Sequence, residues 1–191
     1  MKPLLFVAFA LGTLAAQELP GWWKALPDLP HLECRFLQES ESAVFGKIQR
    51  QGLLQMSRGG RIRVAYDQGL LIVSDGRTLV QYDPGARTAQ KSDLRTVAQE
   101  MPLIRILLEP KALGEVYRAK SLPGGRLALE PRRAGLPKVE VQGKGRFLKK
   151  ILWTDPTGAQ QVLELVDPRG PAAIPDSTYK IRVPEGTRWL R

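Results

Sequence analysis

From His31 onward, apolar and polar residues alternate over short runs, the pattern of strands that bury one face only. In RIRVAYD, Ile62, Val64 and Tyr66 fall on one side and Arg61, Arg63 and Ala65 on the other, as a half-buried antiparallel strand requires. The runs HLECRFLQES, KIQRQGLLQMS, LLIVSD, TLVQYD and RTAQKSD are also β-like, with turn residues between them. After a break the β-like pattern resumes in EVYRAK, RLALEP, KVEVQ, RFLKKILWTD, QQVLELVD and TYKIRVP, spaced by PGG, AGLP, GKG, DPTG and DPRGPAAIPDS. About eleven strands are expected, enough for one large, curled antiparallel sheet or barrel. Asp75-Gly76 predicts a two-residue hairpin turn with positive φ at both positions, a conformation these residue types tolerate.

The break has a different period. In DLRTVAQEMPLIRILLEP, Leu94, Val97 and Ala98, then Leu103, Ile104, Leu107 and Leu108, recur at three- and four-residue spacings, which predicts helix. Pro102 should divide it into two short helices, because proline interrupts the helical ladder. Ahead of the first strand, GWWKALPDLP is punctuated by Pro20, Pro27 and Pro30, so any helix there is short, with Trp22, Trp23 and Leu26 as its apolar face. A curled sheet of this size encloses more room than its own side chains fill, and helices laid across the opening would plug it. Helices that complete an ordinary core have the same periodicity, so the pattern alone leaves both readings open.

The first residues, MKPLLFVAFALGTLAAQ, combine one lysine, an apolar run from Leu4 to Leu11 and small residues up to Ala15 and Ala16. This composition predicts a secretory signal over residues 1–16 and one domain over 17–191. The apolar run is short for a membrane span, and an uncleaved anchor is the alternative. With 43% hydrophobic residues, a 191-residue chain has ample material for a core. Cys34 is the only cysteine, so no internal disulfide can form even in an oxidising compartment. It sits in no Leu-x-x-Cys at a cleavage site, so the protein is not expected to carry a lipid anchor itself. The net charge is +10, and without Lys2 it is 28 − 19 = +9. The basic residues are dispersed, with Arg132-Arg133 and Lys149-Lys150 as pairs; a solvated basic surface and a dedicated anion site both fit.

Little in the chain suits catalysis. His31 is the only histidine, and Cys34, three residues along the same strand, would point to the opposite face. Glu39 and Glu41 share a face and read as exposed charges. One histidine and one cysteine cannot supply a zinc set, and no Gly-x-Gly-x-x-Gly, P-loop or Gly-x-Ser-x-Gly occurs. No catalytic residue, metal or cofactor is expected. Nucleic acid is not an expected partner either, because aromatic residues make up only 7% of the chain and two of the four tryptophans lie in the first helix.

RFLQ (35–38), GLLQMSR (52–58), GRIRVAYD (60–67), LIVSDGRTLVQYDP (71–84), MPLIRILL (101–108), RLALEPRR (126–133), DPTGAQ (155–160) and STYKIRVPEG (177–186) together resemble, in this order, the periplasmic outer-membrane lipoprotein carriers of the LolA family. The likeness spans nearly all of the chain after the leader. It is most specific in the arginine followed by Gly-Arg-Ile-Arg-Val and in the Ser-Asp-Gly-Arg-Thr-Leu hairpin. The resemblance implies a mainly β fold with short helices, an incomplete antiparallel β-barrel of about eleven strands closed by a helical lid over a hydrophobic cavity. It also implies a periplasmic, monomeric chaperone that receives the acyl chains of outer-membrane lipoproteins from an inner-membrane ABC-type release complex and delivers them to an outer-membrane acceptor.

On the same resemblance, Arg58 matches an arginine that holds the lid shut over the empty cavity; from alternation alone it is a surface arginine at a strand end. Ile62 and Val64 match cavity-wall positions, and Phe36, Leu54, Met56, Leu79 and Tyr82 are further wall candidates. Leu103, Ile104 and Leu107 would form the inner face of the lid. The chain departs from the family pattern at Gly59-Gly60, where proline is usual, and at Val64 and Val80, where tryptophan is frequent. A related envelope protein that binds lipid or glycolipid, or senses lipoproteins, is the alternative.

Overall fold

The structure is a computed structural model, and it describes residues 18–44, 46–100, 106–108 and 110–190. Leu103 and Ile104 lie outside the described residues. The chain enters through α1 (Gly21–Ala25), which passes directly into a 3-10 turn at Leu26–Asp28. The proline spacing accounts for this brevity: Pro27 sits at the start of the 3-10 turn and Pro30 follows it, and neither has an N–H to extend a helical ladder.

Six strands follow as a meander: β1 (His31–Ser42), β2 (Gly46–Ser57), β3 (Arg61–Tyr66), β4 (Leu71–Asp75), β5 (Thr78–Asp83) and β6 (Thr88–Asp93). A crossover then carries α2 (Leu94–Glu100), a helical turn at 106–108, a 3-10 turn at Pro110–Ala112 and α3 (Leu113–Val116). A second meander consists of β7 (Tyr117–Leu122), β8 (Arg126–Pro131), β9 (Val139–Lys144), β10 (Phe147–Thr154) and β11 (Gln160–Arg169), and β12 (Arg188–Leu190) ends the described chain.

All twelve strands belong to one sheet, in the order β12-β6-β5-β4-β3-β2-β1-β11-β10-β9-β8-β7. Every neighbouring pair is antiparallel except β12 with β6, which is parallel. The terminal strands β12 and β7 do not pair with each other among the described residues, so the sheet is an incomplete barrel. The two meanders meet at one seam, β1 on β11, with Phe36 opposite Leu165 and Gln38 opposite Leu163.

Alternation decides which side chains fill the interior. Leu32, Cys34 and Phe36 on β1 are buried opposite Met56, Leu54 and Gly52 on β2. They join one cluster with Leu127 and Leu129, Val139 and Val141, Leu148 and Ile151, and Leu163 and Leu165 from the second meander. The helical segments sit on the same face: Trp22, Leu26, Ile106, Leu107, Leu113 and Val116 all belong to this cluster. Burial of this apolar face is the main source of stability.

Two glycines allow close approach. A Cβ at Gly143 would overlap the indole of Trp22, which covers β9 there and donates from Nε1 to the Gly125 carbonyl at 2.8 Å. A Cβ at Gly52 would overlap the Ala65 carbonyl and the Phe36 ring.

The structure differs from the sequence reading at two places. Positive φ occurs at Gly76 and not at Asp75, and the link between β4 and β5 is Gly76-Arg77, one residue later than expected. The Asp75 carboxylate causes the shift by accepting the N–H groups of Arg77 (2.9 Å) and Thr78 (2.8 Å), which makes Asp75 the residue before the turn. TYKIRVP is not a strand. Asp176–Tyr179 forms a 3-10 turn, and Lys180 to Pro184 crosses the outer face of the sheet without joining the ladder. Ile181 and Val183 pack down while Arg182 is exposed, so an extended strap lying on a sheet face has produced the same alternation as a strand.

Candidate functional site

Between the inner face of the first meander and the helical turn at 106–108 lies an apolar cavity, with about 90 Å³ accessible to the centre of a water-sized sphere. Its wall comprises Phe36 (β1), Leu54 (β2), Ile62 and Val64 (β3) and Leu79 (β5), and Leu107 lies against it from the crossover. These strand residues share the cavity because they have inward parity on adjacent strands: Leu54 is directly opposite Val64, and Met56 opposite Ile62.

Four further lining residues, Gln38, Tyr66, Ile72 and Leu163, were not among the wall candidates. Tyr66 and Ile72 carry a local signal, since Tyr66 alternates with Ile62 and Val64, and Ile72 pairs with Val64. Gln38 and Leu163 come together only through the long-range seam of the sheet. Met56 is buried in the adjoining core and is not part of the lining. Tyr82 is three residues from Leu79 on β5, so it has the opposite parity and pairs with Leu71 on the outer side.

Phe36 and Tyr66 meet edge to face, with ring centroids 5.1 Å apart. The Tyr66 hydroxyl donates to Gln38 Oε1 at 3.0 Å, and burial pushes its pKa up, with Arg50 opposing. Cys34 faces the interior, and burial pushes its thiol pKa up to about 12; such a thiol carries almost no thiolate at neutral pH. His31 points the other way, its Nδ1 2.7 Å from the Ser57 hydroxyl, which in turn lies 2.7 Å from the Tyr179 hydroxyl. That polar chain fastens the strap to the outer face, with help from Arg61, which ion-pairs with Asp176 and lies over the Tyr179 ring.

Arg58, at the end of β2, is half buried and donates from Nη2 to the Leu26 carbonyl at 2.6 Å. Its backbone N–H bonds to Pro30 at 3.1 Å. Among the described residues, therefore, it ties β2 to the turn that follows α1. Desolvation pulls the guanidinium pKa below its ordinary value, partly offset by Asp28. Gly59 and Gly60, both at φ +79°, turn the chain after it, and Gly60 packs against Gly76.

The sequence profile of the family described as "Outer membrane lipoprotein carrier protein LolA" matches residues 29–182. This chain belongs to the LolA family. Two solved structures share its fold at low identity. An uncharacterized conserved protein from Thermus thermophilus superposes with a TM-score of 0.55 at 13% identity, over 89% of this chain and 96% of its own. A DUF1329 family protein from Desulfovibrio piger gives 0.51 at 8% identity, over 85% and 98%. A LolA superfamily protein from Nitrosomonas europaea gives 0.48 at 10% identity, over 84% and 96%. No curated protein matches the chain. The LolA family includes lipoprotein carriers and related envelope proteins, and the open, unclosed sheet of this chain is consistent with its incomplete barrel. Among the described residues no helix is long and apolar enough to cross a membrane.

Proposed function

We propose that this LolA-family protein is a periplasmic carrier that holds lipoprotein acyl chains inside its half-barrel and hands them on, without making or breaking a bond. In this reading residues 1–16 are the removed leader and residues 17–191 act as one monomeric carrier domain. The observation that carries the proposal is the apolar cavity bounded by Phe36, Leu54, Ile62, Val64 and Leu79 with Leu107 across it. Each methylene moved out of water contributes about 0.8 kcal/mol, so a chain of about fifteen methylenes contributes about 12 kcal/mol. An acylated protein cannot cross an aqueous space without a host of this kind.

The cavity is small while closed, so loading requires the helical segments to lift. The energy needed to open them lowers net affinity and allows handover. Arg58, which holds the turn after α1 against β2, is the proposed latch. Cargo would come from an inner-membrane ABC-type release complex and pass to an outer-membrane acceptor.

The test is to purify the protein from envelope fractions and identify its bound material by mass spectrometry. Triacylated or diacylated lipoproteins are expected. Glycolipid or phospholipid alone would support the related envelope lipid-binding function instead, and a preparation free of acyl compounds that also fails to bind a fluorescent fatty probe would overturn the proposal.

A further inference from the structure

The apolar cavity shares wall residues with two more polar hollows. Gln38 lines the cavity and also a neighbouring hollow of about 210 Å³ shared with Ser40, Ile48, Arg50 and Gln161. Tyr66 lines the cavity and also a second hollow of about 490 Å³, which again includes Arg50, together with Gln68, Gln81 and Asp83. Arg50 thus borders both hollows and lies directly across the β1–β2 ladder from Gln38. It has the inward parity of Gly52 and Leu54, but the β1–β2 hairpin has outrun the core by this point and the side chain is exposed.

Several of the polar groups around Arg50 are already engaged. Gln161 Nε2 donates to Ser40 Oγ (2.8 Å) and Asp155 Oδ2 (3.0 Å), Gln38 accepts from Tyr66, and Asp83 Oδ1 accepts the Ala86 N–H at 3.0 Å. Glu39, the acidic residue nearest in the ladder, has the opposite parity and bonds to Lys47 and Gln49. Arg50 forms no ion pair and no side-chain hydrogen bond among the described residues. A greasy slot bordered by hollows that hold one uncommitted guanidinium has the makings of an amphiphile site, chain inside and anion beside it. A guanidinium suits carboxylate and phosphate alike, since its fork of donors matches both geometries.

We propose that the cavity also takes free acyl lipids with an anionic head, a carboxylate or a phosphate, and that Arg50 receives that head. This rests on the reading that the cavity accepts acyl chains, and it adds a lipid ligand that is not a lipoprotein.

The test is a fluorescence titration of the mature protein with 11-(dansylamino)undecanoic acid and with its uncharged methyl ester, for the wild type and for R50Q. The wild type should bind the acid about three- to tenfold more tightly than the ester, the gain of one partly exposed charge-assisted contact. R50Q should bind both probes with the affinity the wild type has for the ester. Displacement by a lysophosphatidylglycerol identifies phosphate as an accepted head, displacement by a fatty acid identifies carboxylate, and monoacylglycerol of equal chain length should compete less well than either. Equal affinity of the wild type for acid and ester, or an equal loss of both in R50Q, overturns the role of Arg50 and leaves the acyl cavity standing. If neither probe binds the wild type, the role of Arg50 falls, and the acyl cavity falls with it only where the protein purified from envelope fractions is also free of acyl compounds.

Discussion

Replacing Arg58 with leucine tests the latch directly, because the bond it removes is well defined. The guanidinium donates to the Leu26 carbonyl at 2.6 Å, and Leu26 is only 2% exposed, so water is a poor substitute donor. A hydrogen bond from a charged donor contributes about 1.5–3 kcal/mol. The Leu29 N–H also reaches that carbonyl, at 3.4 Å, so the oxygen keeps a weak partner and the loss should lie near the lower bound, about 1.5 kcal/mol. At 1.4 kcal/mol per factor of ten, the turn after α1 would be released from β2 about tenfold more often. If ligand enters only the released form, apparent affinity rises in proportion to the population of that form. Titration with a fluorescent fatty probe should therefore give R58L about tenfold tighter binding, while its Tm falls by about 3–6 °C. Transfer from the loaded variant to an acceptor in liposomes should slow accordingly. R58K, which keeps the charge but loses the fork, should fall between the two. A variant whose Tm drops while its affinity is unchanged or weaker would refute the latch and leave Arg58 as a brace for the N-terminal turn.

Three further outcomes follow from the geometry. Gly143→Ala places a methyl group within the volume of the Trp22 ring, so the indole must shift and its bond to Gly125 is lost; a destabilisation of about 1–3 kcal/mol is expected in a denaturant titration, with a red-shifted tryptophan emission. Cys34, with its thiol pKa pushed up to about 12 by burial, should resist an alkylating reagent at pH 8 and react fully once urea unfolds the chain; prompt reaction of the native protein would contradict its position in the core. The Glu33 carboxylate is held below its ordinary value of 4.5, first by the hydrogen bond from Arg169 and then by that from Gln55. A depressed carboxylate pKa contributes stability that is complete above about pH 4.5 and is lost as pH falls through the lower folded value. Thermal unfolding should therefore show an acid limb below pH 4.5 that is shallower in E33Q.

The fold was legible where burial and period coincide. RIRVAYD gave its inward face from alternation alone, and Ile62 and Val64 line the cavity from that face. Burial could not be read from short extended segments without a partner in sight. TYKIRVP alternates because Ile181 and Val183 press on the outside of the sheet, whereas the actual twelfth strand, Arg188–Leu190, is three residues long and exposed, with nothing periodic to detect. At the site, Leu79 and Tyr82 could not both face inward from one regular strand, a constraint that family likeness did not convey. Gln38 and Leu163 needed the β1–β11 register, which pairs residues 125 positions apart and leaves no local trace. The Arg58–Leu26 bond is of the same long-range kind, visible in sequence only as an arginine ahead of two glycines.

The division of the sheet into two meanders has a mechanical consequence for the crossover. The crossover runs from β6, near one rim of the half-barrel, to β7, at the other, and its described residues form no strand of the sheet. Such a segment behaves like a drawbridge hung between two finished abutments. On the proposed carrier reading, raising it would leave each strand with its neighbours, so a guest would be admitted and discharged without the frame being dismantled.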